Sequence, residues 1–433
     1  MSMKFNKSSQ LIVISVTALL VSTLLVACGS LTVDFVFVAS SKAAGPNSYG
    51  QIDVMKLNSE SGFLRAIPTS PFPSGGRNPV AEVVSPDSKY LYVVNRDDNT
   101  IVQFLIGSDG KVYPQSTLNT PGIFPLAMAI DPNNKFLYVV DTYQPLPSCS
   151  PFSPCSGSVA VFQILTGAAA VSANAPDGSL GAATYLPLTI GTDQVNPSAI
   201  TVLGNGSYVY VAATDSTVTP PATQSSGYIF SFSVNPSATN IAGVLTPVSA
   251  QPSIAAGIQP SGITSVNNTS VYLTDGVNLA AANGGNNVYA YSVGSNGALS
   301  SVNQYAAGNK PSALVADLTG KYLYVTNSVD SNVSAFSILS NGALNNIGTY
   351  ATGSQPVAIL VDPRLGRFIF TANFLGSNAD GTVSGFEIEL NPPASSSILP
   401  GSLINTQASP YISSAQPRAL AAVEHNGSAP SAK

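Results

Sequence analysis

Short apolar runs broken by polar corners recur along the chain with one outline. Residues 89–104, KYLYVVNRDDNTIVQF, set an apolar run, a polar corner and a second apolar run in succession, the pattern of two short strands and a turn. The outline returns as KFLYVVDTYQ with GSVAVFQI, SYVYVAATDS with GYIFSFSV, SVYLTDGV with NNVYAYSV, KYLYVTNSVDSNVSAFSI, and RFIFTANFLG with GTVSGFEI. A degenerate copy, DFVFVASSKA with GQIDVMKL, brings the number to seven.

Each copy is tied to a further apolar segment that opens with proline: Pro79, Pro125, Pro197, Pro260, Pro311, Pro356 and Pro417. The unit is therefore strand A after the proline, strands B and C as quoted, and a weaker strand D such as ALSSVNQYA. Four-stranded units recurring every 45 to 72 residues predict a propeller, in which each blade needs neighbours to cover its faces. Runs such as LYVVN are apolar at consecutive positions, as expected for a sheet covered on both sides. Two places after each proline stands a small residue: Ala81, Ala127, Ala199, Gly262, Ala313, Ala358 or Ala419. That fits innermost strands crowding a common axis, and a tight contact within each blade would give the same pattern. The first copy lacks its strand A, and QPRALAAV near the other end supplies one. The expected fold is all-β: a seven-bladed propeller over 33–424, closed by a C-terminal strand A beside N-terminal strands B to D.

Ahead of the repeats, Lys4 and Lys7 precede an apolar stretch from Leu11 to Val26, followed by LVAC at 25–28. This resembles the lipobox of bacterial lipoproteins, which implies removal of 1–27, acylation of Cys28 and a short tether at 28–32. An uncleaved anchor and ordinary secretory cleavage near Ala27 are the alternatives. The implied location is the extracytoplasmic envelope, lipid-anchored at a periplasmic or outer membrane, with 425–433 as a tail. Topology puts the start of strand B on the face of the A–B and C–D turns, so that face would lie toward the bilayer and the B–C loops outward.

The chain has 433 residues, 44% hydrophobic and 9% charged, enough to bury a large core and unlike a disordered composition. Without Lys4 and Lys7 the 16 basic residues fall to 14 against 21 acids, a balance of about −7, which argues against nucleic acid and against charge-driven binding of anionic lipid. Cys149 and Cys155 enclose SPFSP, where a disulfide would close a small loop in an oxidising compartment; two free thiols are the alternative. One histidine, His425, leaves no His/Cys cluster for a transition metal. No metal and no cofactor is expected, and no nucleophile elbow, phosphate loop or dinucleotide fingerprint is present.

Departures from the repeat supply the candidate chemistry. Three places after the proline the copies are apolar except for Glu82, and one place after it Arg418 replaces a small or aliphatic residue. Arg77 lies just before strand A of blade two. Two readings stand: an ion pair sealing the ring, or Glu82, Arg77 and Arg418 lining the central channel as the base and cations of a lactone-opening site. Before the prolines, Asn78, Asn196, Gln259, Lys310, Gln355 and Gln416 form an expected polar ring at the channel mouth, suited to a sugar or peptide. Asn95, Asp141, Asp275, Asn327 and Asn373 end strand B and are expected to start turns there. Long insertions at Thr142 to Ser156, Asp215 to Ser226 and Gly276 to Gly285 would build an outward binding surface.

KYLYVVN, KYLYVTN and NGALNNIGTY resemble the YVTN repeat of lactonase-like seven-bladed propellers, whose best-known enzymes are 6-phosphogluconolactonases. The resemblance implies a possible lactone hydrolase at the central channel, while the motifs themselves are structural. On the residues alone, a membrane-anchored binding or scaffold propeller with a sugar, lactone or protein ligand is the first expectation, and the lactone hydrolase the second.

Overall fold

The computed structural model describes residues 32–217, 226–238, 240–276, 286–375 and 380–425, and places them in seven antiparallel sheets. Cys28 and the rest of 1–31 lie outside the described residues, as does the tail beyond His425. Strands A are Pro417–Glu424, Pro79–Val84, Ile123–Ile130, Val195–Val202, Pro260–Val266, Pro311–Ala316 and Ser354–Val361 for blades one to seven. Each touches the next, and the last touches the first, so the strands A ring a common axis. Pro417–Glu424 pairs with Thr32–Ala44 (Val36 opposite Ala422), which completes blade one from both ends of the chain. The outermost strand is split in blades one, four and seven, for example into Ser402–Asn405 and Tyr411–Ser413.

The small residue after the proline has a structural cause. In all seven blades the A–B ladder slips by one residue just after the proline, as between Pro260 and Gly262 opposite Asp275 and Thr274. Such a bulge leaves one residue unpaired and turns the strand. The next residue then lies against the neighbouring strand A: a Cβ on Gly262 would stand 3.3 Å from Ala313 Cα.

Blades are latched to one another by the tyrosine of the LYV pattern. Tyr210, Tyr272 and Tyr324 are fully buried and donate to the carbonyls of Gly297, Gly342 and Gly401, each in the C–D turn of the following blade, at 2.9–3.0 Å. Those glycines have φ of 80–88°, which a β-carbon disfavours, and a Cβ on Gly297 would overlap the Tyr208 ring. Tyr92 makes the same bond to Gly178, but Tyr138 finds no partner among the described residues. Aromatic and aliphatic side chains fill the spaces between blades, with Tyr324, Ile369 and Phe386 packed at one interface and Tyr210, Leu273 and Tyr291 at another.

The polar residues ending strand B correct the expectation of local turns. Asn95, Asp141, Asp275, Asn327 and Asn373 are completely buried. Asp141 Oδ2 accepts from Gly122 N–H, Asp275 from Ile258 and Gln259 N–H at 2.9 and 2.7 Å, and Asn327 Oδ1 from Gly308 N–H at 3.0 Å. These three reach back to the D–A connection that leads into their blade, whose backbone amides would otherwise be buried unpaired, whereas Asn95 bonds the Ser74 hydroxyl and carbonyl and Asn373 bonds Thr382 and Ser384. Burial pushes Asp141 up to about 7 against the bonds it accepts.

Candidate functional site at the channel mouth

The D–A connections and B–C loops share one face, and the bulge aims the residue after each proline toward the channel mouth there. In blades five and six these are Ser261 and Ser312, whose hydroxyls donate to the carbonyls of Pro311 and Pro356 of the next blade, both at 2.7 Å. In blade one the same position holds Arg418, which is too long to make that bond. Its guanidinium lies 4.3 Å from the centre of the Phe374 ring in blade seven, and Nε donates to Ser41 Oγ at 3.3 Å. No carboxylate pairs with it among the described residues.

On the other side of Arg418 stands Arg96. Desolvation, and secondarily the Arg96 charge, hold the Arg418 guanidinium below its ordinary pKa. Arg96 itself lies 4.5 Å from the Phe124 ring centre in blade three, with Nη1 on Asp97 Oδ1 at 3.2 Å. The order around the mouth is thus Phe374, Arg418, Arg96, Phe124, across blades seven, one, two and three. Two cations flanked by aromatic faces, only one of them paired with a carboxylate, Asp97, favour an anion or an electron-rich oxygen.

The structure separates Glu82, Arg77 and Arg418. Arg77 is exposed and forks onto Asp98, with Nε at 2.6 Å and Nη2 at 2.5 Å. Burial pushes the Asp98 carboxyl up, but the Arg77 bonds outweigh it and leave it below the usual range. Glu82 is 8% exposed and makes no ion pair; its Oε1 accepts from Ala39 N–H at 3.1 Å, and Oε2 has no hydrogen-bond partner. Burial drives its pKa well above the ordinary value despite the Ala39 bond, and Asp53 adds repulsion. No ion pair seals the ring at Glu82: the side chain caps a backbone amide beside the bulge of blade one, where burial favours its protonated form.

The residues before the prolines do stand at the start of strand A, partly or fully exposed. Asn78, Lys310, Gln355 and Gln416 have φ of 54–62°, as does Phe124, an uncommon conformation for residues with a β-carbon. Asn78 Nδ2 donates to Asp97 Oδ1 at 3.2 Å, and Gln416 Oε1 accepts from Ser41 Oγ at 3.4 Å. Asn196 sits opposite Thr214 in its blade's A–B ladder, and the Gln259 and Lys310 amides bond Asp275 and Asn286.

Of the three insertions, only Thr142–Ser156 is described throughout; 218–225 and 277–285 of the other two lie outside. Cys149 and Cys155 are joined, with Sγ–Sγ 2.07 Å and Cα–Cα 5.5 Å, and Phe152 at the loop tip is 99% exposed.

Arg96 and Phe374 went unnoticed in the sequence. A signal existed: they follow the polar residue that ends strand B, where the other copies carry Thr142, Ser216, Gly276 and Ser328. Among the described residues no group of three or more His, Cys, Asp or Glu is placed to hold a metal, and no helix is long and apolar enough to cross a membrane.

A family described as lactonase, seven-bladed beta-propeller, matches residues 49–144 and 270–399, just over half the chain. No curated protein sequence matches. Among solved structures, a Bacteroides fragilis protein described provisionally as a 6-phosphogluconolactonase superposes with TM-score 0.68 at 18% identity, covering 91% of this chain and 99% of that one. The periplasmic gluconolactonase of Pseudomonas aeruginosa gives TM-score 0.66 at 18% identity, covering 90% and 99%. Hydrazine synthase of Kuenenia stuttgartiensis also superposes, with TM-score 0.52 at 15% identity over 80% of this chain and 96% of that one, so the architecture carries more than one chemistry.

Proposed function

The chain belongs to the lactonase family of seven-bladed β-propellers, and from that premise we propose that it opens a sugar lactone at the channel mouth beside Arg418 and Arg96. Water adds to the lactone carbonyl, the ring C–O bond breaks, the alkoxide takes up a proton, and a hydroxy acid leaves as its carboxylate. Arg418 is the group that receives the developing oxyanion and then the product carboxylate, because it is cationic, partly desolvated and without a carboxylate partner. Asp97, held by Asn78 and Arg96, is the carboxylate within that row that can take the proton of an attacking water. The observation that carries this reading is the row from Phe374 to Phe124. In this proposal the enzyme is exported and tethered through Cys28, which places the mouth away from the membrane.

A second reading, a binding propeller without turnover, is favoured by Phe152, which the disulfide holds out on the same face. Hydrolysis of a panel of sugar lactones, followed by acid release at constant pH, separates the two. We expect saturable turnover that Arg418→Ala lowers by about 100-fold in kcat, the loss seen when one oxyanion donor is removed. Absence of turnover across the panel, or turnover unchanged in Arg418→Ala, defeats the lactonase reading.

A further inference from the structure

The face opposite the channel mouth is polar at most of its A–B turns, and its exposed large apolar side chains gather at blades six and seven, with Val171 in the C–D connection of blade three standing apart. The A–B turns of blades two to five read Pro86-Asp87-Ser88, Pro132-Asn133-Asn134, Gly204-Asn205-Gly206 and Asn267-Asn268-Thr269. In blades six and seven the corresponding turns carry Leu318 and Leu365, and Leu318 packs beside Gly366. The C–D turns on this face repeat the contrast. Leu339 stands where blades two and five have Gly107 and Gly294, and the blade seven connection carries Leu390, Ile398 and Leu399. These six side chains are 43% to 57% exposed. Blades two and three put ion pairs on the same face instead, Lys89 with Asp87 and Asp177, and Lys111 with Asp109.

What covers this patch is indicated by where the chain enters the ring. Thr32 begins strand B of blade one on this face, and Asp34 lies against Asp362, at the head of the blade seven turn that carries Leu365. Four residues earlier stands Cys28, and before it the apolar stretch from Leu11 to Val26. Five extended residues reach at most about 17 Å, less than the width of a domain this size. A membrane holding the N-terminal segment therefore lies close to blade one and its two neighbours, and of these blade seven, against Asp34 and joined to blade six through Leu318 and Gly366, presents the apolar side chains, whereas blade two presents ion pairs. Lys321 and Arg364 flank the leucines, exposed, as cations do at a bilayer interface.

We propose that blades six and seven rest on the lipid bilayer through Leu318, Leu339, Leu365, Leu390, Ile398 and Leu399, tilting the ring so that the charged turns of blades two and three stay in water. The inference rests on the membrane placement of the N-terminal segment and is independent of the reaction at the mouth.

The chain contains no tryptophan, so a single introduced indole reports one position. Leu365→Trp, Leu399→Trp and, on the opposite face, Val329→Trp are each made at exposed turn positions of the full chain and reconstituted in phosphatidylcholine vesicles containing bromine-labelled acyl chains. We expect emission at 365 and 399 to fall at least twofold and shift to the blue, and emission at 329 to stay unchanged. Vesicle-bound protein with no quenching at 365 and 399, or equal quenching at 329, overturns the contact while leaving the tether intact. Protein left in the supernatant overturns the contact and the tether together. A blue shift at 365 that needs no lipid and grows with protein concentration overturns it in favour of a second copy.

Discussion

Blades five and six and the seam where blades seven, one and two meet solve one packing problem in opposite ways. In the regular arc, every buried polar group has an assigned partner: Tyr272 and Tyr324 bond glycine carbonyls in the next blade, and Asp275 and Asn327 hold backbone amides. At the seam the ring is closed by strands from distant parts of the chain, and four carboxyls are buried there. Asp34 and Asp362 are fully buried against each other, and Asp53 and Glu82 are 8% exposed. Asp362 is satisfied by backbone amides of Leu365, Arg367 and Phe368, each at 2.7 Å, while both Asp34 oxygens lack a donor. A repeat can fix its own internal bonds by repetition; a closure made once cannot, and at this one both Asp34 oxygens and Glu82 Oε2 are left without a donor among the described residues. The same seam bears Arg418, so the irregular sector of the ring and its unpaired cation coincide.

Removing a latch in the arc tests the largest difference. Tyr324→Ala empties a fully buried aromatic site and leaves the Gly401 carbonyl without its donor, a loss of about 3–5 kcal/mol. We expect the urea unfolding midpoint to drop accordingly. A change below about 1 kcal/mol would show that the interface closes over the gap and that the arc is not held by its latches.

The seam is expected to respond to pH where the arc does not. Burial first, and then the charges of Asp362 and Glu424, push Asp34 up to about 8 from an ordinary 3.8. Between those values the folded chain keeps a proton that the unfolded chain has lost, so stability from this group is full below about pH 4 and is lost as pH rises toward 8. Asp34→Asn supplies an amide donor beside Asp362 without a charge. It should stabilise the protein by roughly 2 kcal/mol at pH 9 and have little effect at pH 4. Unfolding midpoints of both proteins across that range decide it: parallel profiles mean that Asp34 ionises freely in the folded state. Asp141, pushed up to about 7 in blade three, contributes a residual slope to both.

The blade count, the four-strand unit and the closure across both ends were legible because they are written in period and polarity. So was the crowding at Gly262, although its cause, the bulge, was not. Latches and locks were invisible for a different reason. Tyr92, Tyr210, Tyr272 and Tyr324 bond partners 70 to 87 residues away, and nothing in an apolar run says which tyrosine hydroxyl is spoken for. Glu82 was legible as an anomaly, but sequence gives its exception to the pattern and not its depth or its bond to Ala39. Arg418 was legible too, yet its neighbours Arg96 and Phe374 belong to other blades and come together only when the ring closes.

The smallest effect separates a latch from its imitation. Tyr324 and Tyr138 occupy the same place in strand B of blades six and three, both fully buried, but Tyr138 Oη has no partner among the described residues. In blade four, where its acceptor would be, the tight C–D turn with a left-handed glycine is replaced by a loop carrying the short 3-10 turn Ile241–Gly243. Beside that loop a cavity of about 800 Å³ opens between blades two, three and four, lined by Phe136, Asn240 and Val244. Deleting a bonded hydroxyl costs about 1 kcal/mol, whereas deleting a buried, unpaired one removes a desolvation penalty. Tyr324→Phe should therefore lower stability by about 1 kcal/mol and Tyr138→Phe should leave it equal or higher. Equal losses in the two variants would mean that Tyr138 has a donor's role after all, through water held at the blade three and four boundary, and the contrast between regular and irregular blades would then lie in the length of the bond and not in its presence.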